Sequence, residues 1–188
     1  MNLVNIYNEK KFITDKYDLG YLDNIYDDLF KKYLGKPISF LEIGIQRGGS
    51  LQLWEEYFDK SSQIYGMDIL FCKNIENQQK IKQFTCNAYT EESANIFKSS
   101  TIDIIVDDGP HTLESFILLI DLYFDKLKTD GLLVIEDIIN ISWTPILVNY
   151  AKQKGYKEHN VYNMAGKQKT EQLLRLWSNG LDVLVLTK

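Results

Sequence analysis

The run Phe40–Ser50, FLEIGIQRGGS, constrains this chain more than any other segment. An apolar stretch carrying one acid, Glu42, reaches Gly44 and then the pair Gly48–Gly49, and the next apolar run, IYGMDIL, ends on a single carboxylate, Asp68. An α/β nucleotide-binding half reads this way. A buried strand enters a glycine turn where a ligand can lie against the backbone, and the following strand ends on an acid able to accept hydrogen bonds from ribose hydroxyls. The spacing departs from the dinucleotide fingerprint G-x-G-x-x-G. The helix after the loop offers free N–H groups at its start, with Ser50 as its expected N-cap. Glu42 needs a partner, because an unpaired carboxylate inside an apolar strand is costly; a ligand's ammonium group or backbone amides would serve.

Apolar spacing places the remaining elements. Tyr21, Leu22, Ile25, Leu29 and Phe30 recur at helical intervals from Tyr21 to Tyr33, and Gly35 and Pro37 end that helix. Strands are expected at Ile38–Ile43, Gln63–Ile69, Gln83–Cys86, Ile102–Val106 and Leu132–Glu136. Helices are expected at Ser50–Tyr57, Ile75–Lys82, Thr90–Lys98, Thr112–Leu127 and Thr144–Lys154, the last with Pro145 in its first turn. Tyr156–Tyr162 and Val183–Thr187 complete about seven strands as an antiparallel pair at the sheet edge. The 188 residues suit one domain, 1–188, with 1–36 as an N-terminal helical lid or extension. Tyr17, Tyr21 and Tyr26 could lie over a site if that segment folds back, although their spacing alone favours packing.

Bulk properties exclude several partners. A net charge of −5 with no Lys/Arg cluster argues against nucleic acid. No apolar run is long enough to span a bilayer, and the opening MNLVNIYNEKKF is too polar for a signal peptide. Cys72 and Cys86, without framework spacing, fit free thiols in a reducing cytoplasm. Neither G-x-S-x-G nor a Walker lysine is present.

A second constellation lies further on. Val106-Asp107-Asp108-Gly109-Pro110-His111 leaves one apolar strand, and Val134-Ile135-Glu136-Asp137 ends the next. In an open parallel sheet, ligands bind outside the carboxyl ends of the strands. Carboxylates gathered there repel unless a cation or proton offsets them. Asp108, Glu136 and Asp137 are the expected ligands of Mg²⁺, which favours oxygen donors. Such an ion could orient and acidify a substrate hydroxyl, and His111 could take its proton, imidazole titrating near neutrality. Taken singly, Asp107 and Asp137 could instead cap helices. Asn87, after the third strand, is a candidate adenine contact.

At these residues the chain resembles the class I S-adenosylmethionine (SAM)-dependent methyltransferases, in the branch of macrocin O-methyltransferase-like and cephalosporin hydroxylase-like proteins. Thr14-Asp15-Lys16, LEIGIQRGGSLQLW, IYGMDI, VDDGPHTLES and GLLVIEDI carry the likeness. It implies a Rossmann-like, doubly wound, mostly parallel seven-stranded sheet with helices on both faces and an antiparallel final hairpin. It implies Mg²⁺ on acids matching Asp108, Glu136 and Asp137, with hydroxyls of sugars or other small molecules as acceptors. The donor would lie along Glu42, Gly44, Gly48, Gly49 and Ser50, with its ribose on Asp68, its adenine near Asn87 and its amino group near Asp107. The family often carries Asp near the position of Asn87.

These features lead to an expected function: a cytoplasmic, Mg²⁺-assisted O-methyltransferase that uses SAM on a hydroxyl of a small molecule or glycan, with Asp108 and His111 catalytic. No nucleic-acid or membrane partner is expected, and a homodimer is possible. Two alternatives remain at this stage: a dinucleotide- or nucleotide-sugar-dependent enzyme on the same sheet, and a non-catalytic SAM-binding subunit. The fold alone separates none of them.

Overall fold

In the computed structural model, which describes every residue except Met1, Asn77 and Asn179, seven strands form one sheet. They are β1 (Ser39–Ile43), β2 (Gln63–Asp68), β3 (Ile81–Thr85), β4 (Ile102–Asp107), β5 (Leu127–Ile138), β6 (Glu158–Asn163) and β7 (Asp182–Thr187), in the order β3-β2-β1-β4-β5-β7-β6. The pairs from β3 through β5 are parallel; β7 runs antiparallel between β5 and β6. This is the doubly wound sheet with a reversed final hairpin that the sequence implies.

Alternation divides the core. Phe40, Ile104, Val106, Val134 and Val185 point to one face; Leu41, Ile43, Ile105, Ile135 and Leu186 point to the other. The first face is covered by α1 (Leu3–Lys10), the N-terminal helical run and α3 (Gly49–Tyr57), with Tyr26, Phe30, Phe40, Trp54 and Phe58 in mutual aromatic contact. The second is covered chiefly by α5 (Leu113–Tyr123) and α6 (Thr144–Lys154). Burying β strands on both faces makes the central ones continuous apolar runs, as β4 and β5 read.

The N-terminal run is not a plain α-helix. It starts with a π-helical turn at Leu22–Tyr26, passes through α2 (Asp27–Phe30) and ends in a 3₁₀ turn at Lys31–Tyr33. The Asp27 N–H reaches back to the carbonyl of Leu22, so residues five apart share a face, and this aligns Tyr21 with Tyr26.

Several expected boundaries are corrected. The helix expected at Ile75–Lys82 is only a 3₁₀ turn, Lys73–Ile75, and β3 has begun by Ile81; Asn77 lies outside the described residues. That stretch is polar with Ile75 and Ile81 as its apolar anchors, too few for a helical stripe. Ser50 is not the cap of α3. Gly48 is, in the left-handed region (φ 77°), and Ser50 sits inside the helix, buried. The expected helix Thr90–Lys98 is α4, Glu91–Ala94 only, capped by Thr90. Likewise α5 ends at Tyr123, and Leu127 already belongs to β5.

Candidate functional site

Three strand ends and one N-terminal lysine build the site. Glu42 on β1 and Glu136 on β5 have the parity of Phe40 and Val134, so both face the N-terminal segment. The β5–β7 register shifts between Ile135 and Ile138, and Asp137 takes a left-handed backbone (φ 54°). A bulge of this kind re-aims a side chain, and it lets the adjacent acids Glu136 and Asp137 both meet the same helical run: Tyr26 donates to Glu136 Oε1, and Tyr21 to Asp137 Oδ1. The π-helical turn between these tyrosines is what brings both hydroxyls to the strand ends. Tyr21 and Tyr26 therefore do both things considered from the sequence: their rings pack in the core and their hydroxyls reach the site.

Lys16 lies at the centre of the acids. Its ammonium is 2.8 Å from Asp108 Oδ2, 2.5 Å from Glu136 Oε2 and 3.2 Å from Glu42 Oε1, and the residue is 1% exposed. Burial would lower its pKa, but Asp108, Glu136 and Glu42 overcome this and hold it well above the usual lysine value. Burial likewise raises the Glu42 and Glu136 carboxyls, with Lys16 opposing. The partner that Glu42 requires is thus supplied within the chain: Lys16, with Trp54 Nε1 donating to Oε2 at 3.2 Å and Ser50 bonding from α3. Glu42 Oε1 lies outside hydrogen-bond geometry with Lys16 and keeps an open acceptor position.

Asp107 and Asp108 part company because they are neighbours at a strand end. Asp107 turns to the opposite face, fully buried, where Tyr89 donates to its Oδ1 at 2.5 Å. Among the described residues its Oδ2 is buried without a partner, and burial pushes its pKa up to about 7 despite the Tyr89 bond. Asp108 turns towards Lys16 and His111. His111 Nε2 is 3.6 Å from Asp108 Oδ1 and 3.8 Å from Asp137 Oδ2, with its own backbone left-handed (φ 52°) and its Nδ1 unpartnered among the described residues. Left-handed non-glycine residues carry strain, and two of them meet here.

Asp108, His111 and Asp137 can each offer a ligand atom, all within 4.8 Å of one another. Two carboxylates and an imidazole fit a divalent cation such as Mg²⁺ or Mn²⁺. Of the three metal ligands expected from the sequence, Asp108 and Asp137 meet in this cluster. Glu136 instead spends both oxygens on Lys16 and Tyr26.

Beside the cluster a cavity of about 640 Å³ runs along the carboxyl edge of the sheet, lined by Gly44, Asp68, Asn87, Asp108, His111 and Asp137 among others. Ser50 borders it too; Glu42, Gly48, Gly49 and Asp107 do not. The glycine pair has packing reasons instead. A Cβ on Gly49 would stand 2.0 Å from the Ile13 carbonyl oxygen, and one on Gly48 would stand 2.6 Å from Ile75. Gly44, at φ 80°, passes equally close to the Asp108 backbone. Asp68 Oδ2 accepts the backbone N–H groups of Ile45 (2.9 Å) and Gln46 (3.0 Å), and Oδ1 that of Leu70, so this carboxylate fixes the loop while lining the cavity. Exposed Asn87 accepts from the N–H of Tyr89. Lys16 and Tyr89 are the residues that sequence reasoning did not assign to the site. Lys16 enters the sequence reading only within Thr14-Asp15-Lys16, one of the segments that carry the resemblance.

No family model matches the chain. Demethylmacrocin O-methyltransferase of Streptomyces fradiae is 30% identical over 145 residues, covering 71% of this chain and 36% of that protein. Mycinamicin VI 2''-O-methyltransferase of Micromonospora griseorubida is 27% identical, covering 71% and 35%. The chain therefore spans just over a third of the curated relatives it matches. Among solved structures, the MycE methyltransferase of the mycinamycin biosynthetic pathway, in complex with Mg, SAH and mycinamycin VI, superposes with a TM-score of 0.65 at 27% identity, over 77% of this chain and 39% of that one. A SAM-dependent methyltransferase from Archaeoglobus fulgidus, 16% identical, matches in fold over 98% of this chain and 99% of its own (TM-score 0.60). In sequence the chain is similar to the macrocin O-methyltransferase-like proteins, and in fold it is similar to the class I SAM-dependent methyltransferases.

Proposed function

We propose that this protein is a cytoplasmic, metal-assisted O-methyltransferase that moves the methyl group of SAM to a hydroxyl of a sugar or other small molecule. The observation that carries the reading is the meeting of Asp108, His111 and Asp137 at one wall of a cavity whose other end is the Asp68-braced glycine loop. The cavity suits a nucleoside-bearing donor. Asp68 offers carboxylate oxygens at the end of β2 for ribose hydroxyls, and the backbone turn at Gly44 lets a ligand lie close. Among the similar proteins are methyltransferases whose names specify O-methyl transfer on rhamnosyl tetracenomycin-C and on mycinamicin VI, and the MycE complex contains Mg and SAH.

A bound divalent ion would supply Lewis acidity, lowering the pKa of a coordinated acceptor hydroxyl. This chain's own residues do the rest. Asp108 and Asp137 would hold the ion, and their carboxylates are fixed by Lys16 and Tyr21. His111, on a strained backbone beside both acids, would accept the acceptor's proton; general-base assistance of this kind contributes roughly 10²–10⁴-fold. Positioning contributes further by aligning the oxygen with the methyl group.

The test is transfer of label from methyl-tritiated SAM to a panel of glycosides and polyols, with Mg²⁺ or with EDTA. Metal-dependent labelling of a hydroxylated acceptor is expected. Labelling of amines only, or none with any hydroxyl compound, would overturn the O-methyltransferase reading.

A further inference from the structure

Four carboxylates converge at the ends of β1, β4 and β5: Glu42, Asp108, Glu136 and Asp137. One ammonium, that of Lys16, touches three of them and has no access to solvent. Lys16 arrives from a distant part of the chain, 92 residues from Asp108 and 120 from Glu136. Its segment is seated firmly: the Ile13 carbonyl packs on Gly49, and the N–H groups of Tyr21 and Leu22 bond to the Lys16 carbonyl. A flexible surface lysine would not be held this way. A buried charge persists only when paired, and here the pairing is threefold.

We propose that Lys16 is the resident cation of this acid cluster, a positioning residue whose ammonium sets Asp108 and Glu136 and fills a place that a divalent ion would otherwise take. A divalent ion would thereby be confined to the outer acids Asp108 and Asp137, beside His111. Asp108 joins the inner and outer groups, with Oδ2 on Lys16 and Oδ1 facing His111. One lysine thus restricts how many ions the site accepts and fixes which oxygen of Asp108 faces the cavity. The inference rests on the methyltransferase reading only for the ion's part in the reaction; the placement of Lys16 stands apart from it.

The test removes the charge and keeps the bulk, Lys16→Met, and measures Mn²⁺ binding by calorimetry and by electron paramagnetic resonance, with thermal melts in Mn²⁺ and in EDTA. The variant is expected to bind Mn²⁺ at least tenfold more tightly than the wild type, or to gain one further ion. Its melting temperature should fall in EDTA and be largely regained in Mn²⁺, whereas the wild-type melt responds less. The double variant K16M/E136Q, which sheds one opposing charge, should fold in EDTA and lose most of this extra affinity. If K16M is recovered only unfolded, refolding with Mn²⁺ but not with EDTA is the expected result, and failure in both overturns the proposal. So does an unchanged Mn²⁺ affinity and stoichiometry, or a loss of stability that Mn²⁺ leaves untouched, since either would make Lys16 a packing residue only. A parallel SAM titration of the wild type keeps the two ideas apart. SAM binding with no ion effect of K16M defeats this inference alone, and absent SAM binding defeats the proposed function alone.

Discussion

At the scale of single residues, parity at a strand end decides which acid does what. Asp108 faces the cavity and the ion cluster, so Asp108→Ala should lower methyl transfer by roughly 10²-fold or more, the scale of a lost metal or general-base contribution, while SAM affinity measured by calorimetry stays within a few-fold of wild type. Asp107, one residue earlier, is buried against Tyr89 with a pKa of about 7, raised from the ordinary 3.8. A raised carboxyl favours the folded state while it is protonated. Its contribution is therefore full below about pH 4 and is lost as pH rises through about 7. Asp107→Asn should flatten that part of the pH–stability profile and equal or exceed wild-type stability at pH 8 in denaturant unfolding; an unchanged slope between pH 4 and 7 would count against it. The acids at the strand ends are legible in sequence because a carboxylate that closes an apolar run in a parallel sheet has few other places to be. Lys16 is not legible in the same way. It lies in a polar stretch with no periodicity, and its partners are separated from it by most of the chain.

At the scale of elements, the packing of loop against segment matters as much as the helices. Gly49 opens α3, yet its side-chain position is filled by the Ile13 backbone at 2.0 Å. Gly49→Ala should therefore push the Lys16 segment away and cost about 1–3 kcal/mol, read from urea unfolding; a cost near zero would mean that this contact is not tight. The hydroxyl contacts of the N-terminal run are a separate matter. Tyr26→Phe would remove a donor from buried Glu136 and should destabilise by about 1–3 kcal/mol, whereas the same change at exposed positions is expected to be near neutral. The strands were legible from apolar continuity, and α6 with Pro145 in its first turn matches its expected bounds, Thr144–Lys154. The π-helical turn at Leu22–Tyr26 was not legible: five-residue spacing between two tyrosines reads as packing until the strand ends they bond are known. The helix expected at Ile75–Lys82 fails for another reason: Ile75 and Ile81 are too few apolar anchors for a helical stripe, and Ile81 and Lys82 pair with β2.

At the scale of the whole molecule, a sheet order that alternation and crossover rules allow brings every acid to one edge, and the N-terminal segment closes that edge with its own cation. The chain matches just over a third of the length of its longer relatives and nearly the full length of the Archaeoglobus fulgidus structure it resembles in fold. Among the described residues no helix is long and apolar enough to cross a membrane. The proposed function requires the cavity between the glycine loop and the acid cluster to take SAM. Calorimetric titration of the purified protein with SAM, with and without Mg²⁺ and beside NAD⁺, decides this. Saturable binding of SAM with none of NAD⁺ is the expected result. Binding of NAD⁺ in preference to SAM, or of neither under both conditions, would contradict it.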